Sequence, residues 1–378
     1  MSHYDAAIVG LGAMGSMAAL ELARRGRKVI GFDRFHPPHA FGSSHGKSRI
    51  IREAYFEHPQ YVPIVRHAWE KWLELERDGG RPLLTRTGGL MIGPPDGILV
   101  AGARRSALEH GLPFEELSAE AVRARFPVFQ LEAHEVAIFE ERAGVLFPEV
   151  AIETALDLAA RAGAELVFDE PVTMWNAGEA VTVRSGVRRV QADRLILSAG
   201  AWMAGDLPRT PLGLGIARQT LFWFAPTGDP SLVAPARMPI FIWEWAPGQM
   251  FYGFPDFGDG VKVAIHHHGE PADPDHVRRT VYPGEADRLR AVLATHAPAF
   301  NGPLRESAAC LYTNTDDGDF IIDRHPDDPR VVLASPCSGH GFKFATAIGE
   351  VLADLVEGKP PRFDLSPFQV RGRVRPAL

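Results

Sequence analysis

Ala6-Ala7-Ile8-Val9-Gly10-Leu11-Gly12-Ala13-Met14-Gly15 decides the fold. Residues 6 to 9 form a short apolar run, as expected for a strand buried on both faces. The glycine run follows at once, and Met17, Ala18, Leu20, Leu22 and Ala23 then give a helical apolar pattern ending near Gly26. Val29-Ile30-Gly31-Phe32 reads as the next buried strand, with Asp33 at its end. Gly10 permits the tight turn, Gly12 lets the backbone approach a pyrophosphate, and Gly15 lets helix and strand pack closely. The free N–H groups of the helix start suit phosphates, and Asp33 can accept from a ribose hydroxyl. A bare GxGxxG is weak, but strand, helix and acid all stand in place here, so the chain is expected to bind a dinucleotide. The motif does not choose between NAD and FAD.

The 378 residues leave room for a second lobe. A net charge of -7 carries no basic footprint for nucleic acid or an anionic membrane. Two cysteines cannot build a disulfide framework, which points to a reducing, cytoplasmic setting. No run has the length to span a bilayer, and the early first strand leaves no room for a signal peptide.

Between 35 and 55 the second helix of a plain NAD domain is missing, because Pro37, Pro38, Gly42 and Gly46 break it. Arg49 and Arg52 flank Ile50 and Ile51, which argues that the segment packs inward and holds the arginines at a site. They share a face if helical and not if extended. Residues 61 to 76 read as an amphipathic helix with Val65, Ala68, Trp69, Trp72 and Leu73 on one stripe. Near residues 86 to 89 the pattern shifts to short strands and turns, returns to alternating strand and helix from 144 to 202, and from about Arg218 gives aromatic-rich strands at 220–224, 241–245, 250–254 and 261–265. A second domain is therefore assembled from separate insertions. Val172, just after a strand at 164–168, can line an adenine pocket or be plain core. His266, His267 and His268 alternate faces in a strand, so they are not expected to bind one metal ion. On one face of that strand lie Lys262, Ala264 and His266, aimed either at a shared cavity or at solvent.

The C-terminal stretch carries the chemistry. Cys310-Leu311-Tyr312-Thr313 is followed by a strand at 331–333 and by Ser338-Gly339-His340-Gly341-Phe342-Lys343, which leads into a last apolar helix over 344–356. Lys343 at a helix start opposes the dipole, a cost offset only by a nearby negative group.

These stretches, with Pro37-Pro38-His39, Arg49-Ile50-Ile51-Arg52, Gly144-Val145-Leu146-Phe147 and Tyr252-Gly253-Phe254-Pro255, resemble the monomeric sarcosine oxidase and N-methyltryptophan oxidase family of covalent flavoproteins. The resemblance runs nearly end to end, to Arg375-Pro376-Ala377-Leu378. It implies an α/β fold: a Rossmann-type FAD-binding domain (1–85, 143–215 and 308–378) plus a discontinuous substrate domain with a mainly antiparallel sheet (86–142 and 216–307). It implies FAD tethered by a thioether to Cys310, where the residue type alone reads equally as a buried thiol. Arg52 and Lys343 would hold a substrate carboxylate, Tyr252 and His266 would line the amine pocket, and Tyr312 and His340 would lie close to the flavin. Lys262 would be the site of O2 activation, and Arg49 would add positive potential beside the ring. Gly10, Gly12, Gly15, Asp33, Arg34, Ser48, Val172, Gly339, Gly341 and Lys343 complete the cofactor contacts.

The implied reaction oxidises an N-methyl amino acid such as sarcosine with O2, giving formaldehyde, a primary amino acid and hydrogen peroxide, in a monomer. The alternatives are a non-covalent FAD D-amino acid oxidase or amine dehydrogenase of the same fold, and a dinucleotide-binding sensor without catalysis. Departures from the family pattern are Lys47 for Asp, Ser44 for His, Ser48 for Thr, and Cys337 for a large apolar residue. Trp243 and Trp245 are expected in the strand lining the substrate side, where they would reshape the cavity.

Overall fold

The computed structural model describes residues 2–370; the motif at 375–378 lies outside them. Among the described residues the strands form sheets of eight, nine and three strands. In the first, His3–Val9 lies between Val29–Phe32 and Arg189–Leu197, parallel to both. Glu165–Val167 extends it beyond Val29–Phe32. Asp328–Ser335 pairs parallel with Leu195–Leu197, and Val181–Ser185 pairs antiparallel with the earlier half of the same long strand. Val172 opens a strand, Val172–Ala177, at this sheet's edge.

The helices Ala13–Arg24 and Ala345–Glu357 pack together against this sheet in one apolar core, where a Cβ on Gly349 would meet Met17. The helix Val62–Gly79 buries Val65, Ala68, Trp69, Trp72 and Leu75, whereas Leu73, expected on that stripe, is exposed. Position 73 lies at the edge of the apolar arc, and Leu75 fills the seam instead.

The nine-stranded sheet is mainly antiparallel. Gly215–Phe224, Val261–Ile265, Gln249–Phe254 and Ile240–Ala246 are neighbours in that order, and Gly89–Gly93, Val136–Glu140 and Glu115–Ser118 continue it. The strand Leu304–Asn314, which carries Cys310, pairs along the whole of Gly215–Phe224. This sheet therefore runs past the boundary expected at 307. Trp243 is fully buried on the far face, among Phe129, Phe251 and His296, with its Nε1 donating to Glu135 2.7 Å away. Trp245 shares that face and packs on Phe251. Strand parity puts Ile242, not the tryptophans, on the cavity side, so neither indole reshapes the cavity.

Candidate active site

A cavity of about 450 Å³ runs from Gly10 and Asp33 at one end to Arg52 and Lys343 at the other. The first end is built by turns that follow strands of the eight-stranded sheet; at the far end one such turn, after Asp328–Ser335, meets Arg52 beyond the three-stranded sheet and side chains of the nine-stranded one.

At the first end the three glycines have different reasons. Gly10 has φ +93°. A Cβ on Gly15 would lie 1.8 Å from the Gly10 carbonyl oxygen. One on Gly12 would meet only the Ser44 Oγ, at 3.9 Å, so the protein itself would tolerate it. What Gly12 leaves room for belongs in the cavity. The helix it opens has no side-chain cap and no acid in its first turn, so its free N–H groups are left for an anion. Asp33 accepts from Leu11 N at 2.7 Å and Phe35 N at 3.0 Å, which ties the glycine turn to the second strand. Val172 and Arg34 line the same end, with the Arg34 guanidinium on Asp275 at 2.7 Å and over Trp202. On the cavity wall, Ser43 Oγ and Thr313 Oγ1 are buried with no hydrogen-bond partner. Uncapped amides, an open glycine and unpartnered hydroxyls along one cleft fit FAD.

Midway along stand the thiol and its neighbours. Cys310 is buried and lines the cavity, with Arg49 Nη2 3.8 Å from its sulfur. Burial pushes the thiol up, but His45, Arg49 and Lys262 outweigh it and bring it down to about 7. Arg49 also donates to the carbonyls of Ser43 and His45, each at 2.6 Å, and to that of Ser48 at 2.7 Å. It thereby folds the 43–48 loop over the thiol. Lys262 is not on the cavity wall. Its ammonium ends under the Gly46–Ser48 turn, and Ser48, which lines the cavity, accepts from it through Oγ at 3.0 Å.

The far end gathers Arg52, Lys343, Tyr252, His266, Tyr312 and His340. Arg49 starts a three-residue strand, Arg49–Ile51, and the ladder ends before Arg52. Arg52 is therefore freed from strand alternation, and both arginines reach the cavity although the segment is extended. Arg52 is 1% exposed, donates to Glu57 at 2.6 Å and Ala54 O at 3.0 Å, and stacks over Tyr55 and Phe56. Lys343 lies in a 3₁₀ turn, Phe342–Phe344, ahead of the last helix and donates to His340 O at 2.7 Å. The 339–341 loop is tight: a Cβ on Gly339 would strike Tyr312, and one on Gly341 would lie 1.6 Å from Pro336 O.

His340 is locked. Its Nε2 faces Gly318 O at 3.0 Å, which can only accept, so Nδ1 accepts a hydrogen bond from the Tyr55 hydroxyl at 2.5 Å. Burial lowers it to about 4, so it stays neutral. His266 lies 3.4 Å from the Tyr312 hydroxyl and is also held well below its usual range, first by burial and then by His267, His340 and Lys343.

The sequence reading passed over Glu57, Glu140 and Glu149. Glu140 is buried and accepts from Glu53 N and Ala54 N, steadying the backbone beside Arg52. Acids in a strand end or a helix start carry no local signal of such long-range bonds. Among the described residues no group of three or more His, Cys, Asp or Glu could hold a metal, and no helix is long and apolar enough to cross a membrane.

A family model described as FAD dependent oxidoreductase matches residues 5–355, and the chain belongs to that family. Within it the chain is 41% identical over 357 residues, 93% of each chain, to the monomeric sarcosine oxidase of Streptomyces avermitilis. It is 35% identical to the N-methyl-L-tryptophan oxidase of Citrobacter koseri, over 97% of this chain and 98% of that one. The family expected from the Cys310 and 338–343 motifs is the one these relatives define. Among solved structures, NikD, described as an unusual amino acid oxidase essential for nikkomycin biosynthesis, superposes with a TM-score of 0.84 at 22% identity over 98% of each chain, a likeness of fold.

Proposed function

We propose that this chain is an FAD-linked oxidase of N-methyl or related secondary amino acids, with the flavin tethered to Cys310 and O2 reduced to hydrogen peroxide. The observation that carries the reading is that one cavity wall holds an activated thiol and, further along, two buried cations. Bound FAD supplies the two-electron acceptor for the amine carbon. Arg52 and Lys343 bind the substrate carboxylate and so orient the amine. Tyr252, His266 and Tyr312 form the wall around it. His266 and His340 are both neutral and His340 has both nitrogens engaged, so His340 shapes the pocket and takes no proton. A pocket of this charge favours the amine in its neutral form. The enzyme works as a cytoplasmic monomer; Cys310 and Cys337 form no disulfide, in keeping with a reducing setting. Among the described residues, 2–85, 143–215 and 315–370 form the FAD-binding domain, and 86–142 with 216–314 the substrate domain.

A panel of N-methylglycine, N-methyl aromatic amino acids and cyclic imino acids, read by peroxide release, tests the reaction. Peroxide with at least one of them is expected. Reduction of the flavin without peroxide would favour a dehydrogenase, and no reaction with any would sink the reading. Lys262→Met should slow reoxidation by O2 by about 100-fold or more while substrate reduces the enzyme at nearly the native rate, because an ammonium stabilises negative charge developing on oxygen. Equal slowing of both half-reactions in stopped flow would remove Lys262 from that role.

A further inference from the structure

We propose that Glu149 is a positioning residue for Lys262, acting through the Gly46–Ser48 turn; this rests on the role given to Lys262 above. Lys262 is 2% exposed, and its ammonium donates to Gly46 O at 2.6 Å, Ser48 O at 3.0 Å and Ser48 Oγ at 3.0 Å. Burial, then Arg49, pulls the Lys262 amine well below its usual range; the three acceptors, all on one turn, oppose this by taking the three protons of the ammonium. The seat of the ammonium is therefore only as well defined as that turn.

The turn has one bond of its own, Ser48 N to Gly46 O at 2.8 Å, and Arg49 holds the Ser48 carbonyl, but neither reaches the Gly46 and Lys47 amides. Gly46 has φ +97° and Lys47 φ +68°, and a side chain in that region costs about 1 kcal/mol or more. A Cβ on Gly46 would also lie 2.6 Å from Leu221. One oxygen of Glu149 accepts from both consecutive amides, Gly46 N at 2.7 Å and Lys47 N at 3.0 Å. This is a nest of two N–H groups closed on a carboxylate. Glu149 can serve because it opens the helix Pro148–Arg161, which directly follows Gly144–Leu146, the strand paired with Arg49–Ile51. Turn and carboxylate are thus mounted on the same small sheet. On the outer side Lys47 bonds Glu306 and Asp259, but those pairs are half exposed and worth little.

Without the carboxylate, two amides lose their acceptor and Lys47 can relax to negative φ. The Gly46 carbonyl then swings off the ammonium, while Arg49 still holds that of Ser48. Arg52, Lys343 and His266 take no bond from this turn, so the substrate end keeps its geometry.

The test uses Glu149→Ala, Glu149→Gln and Lys262→Met holoenzymes, with anaerobic reduction and O2 reoxidation followed separately and amide hydrogen exchange read at Gly46 and Lys47. Glu149→Ala should slow reoxidation by about tenfold or more. Its reduction by substrate should stay within about twofold of wild type, and both amides should exchange faster. Glu149→Gln keeps an acceptor oxygen and should restore protection and most of the reoxidation rate. If Glu149→Ala does not fold, Glu149→Asp, one methylene short of the amides, should show the same selective defect. Native reoxidation in the Ala or Asp variant, equal slowing of both half-reactions, or a Gln variant as slow as Ala would overturn the proposal. If Lys262→Met shows no selective defect, the role of Lys262 has failed and the proposal with it. A selective Lys262→Met beside an unaffected Glu149→Ala overturns only the role of Glu149.

Discussion

Acid-precipitated wild-type protein should give a yellow pellet, and Cys310→Ser a colourless one with the flavin in the supernatant. The sulfur at 310 is poised for attachment. A free thiol ordinarily titrates near about 8.5, where only a few per cent is thiolate at neutral pH. In Cys310 burial alone would worsen that, but His45, Arg49 and Lys262 bring it to about 7, so about half is thiolate at neutral pH. The sign follows: attachment of FAD to apoprotein should accelerate as pH rises through about 7 and level off above it. Cys337 is the internal control. It lines the same cavity, but burial pushes it up to about 11. Cys337→Ser should therefore leave the pellet yellow. A yellow pellet from Cys310→Ser, or colour lost with Cys337→Ser instead, would break the assignment of the tether.

The nucleotide end was legible because its determinants are local: strand, glycine turn, helix and acid fall within residues 6–33, and each glycine's task can be stated before the fold is known. The C-terminal loop was legible through its motif, and Lys343 through its misfit with the dipole. What escaped depends on pairing between distant segments. That Cys310 lies on the substrate-side sheet follows from its strand's register with Gly215–Phe224, which no local pattern encodes. The tryptophans were assigned to the wrong face because alternation gives parity without saying which parity faces the cavity. Ile242 decides it. Alternation left Lys262 open either to a cavity shared with His266 or to solvent, and its four-carbon stem ends instead on backbone carbonyls contributed more than two hundred positions away in sequence.

Lys343→Met should cost the larger share of carboxylate affinity and remove its pH dependence. Lys343 is buried, and burial, then Arg52, lowers it to about 7, with Glu57 opposing. It is charged below that value and neutral above it. Arg52 stays charged throughout, but Glu57 already holds its guanidinium at 2.6 Å, so an incoming carboxylate competes with an internal one. Lys343 is therefore the cation more available to the ligand. Methoxyacetate, an ether isostere of N-methylglycine that carries the carboxylate but no amine, isolates the effect when its binding is read from the flavin spectrum. Its affinity for wild type should fall as pH rises through about 7 and beyond, since the bound anion itself raises the lysine. At pH about 6 the methionine variant, similar in volume, should bind about 30-fold more weakly, the equivalent of about 2 kcal/mol. His340, lowered to about 4, does not titrate in this range, but Glu140, raised to about 7 by burial, does. The variant separates the two. A flat profile identifies Lys343 as the titrating group, and an unchanged slope would transfer it to Glu140 and leave Arg52 as the anchor of the carboxylate.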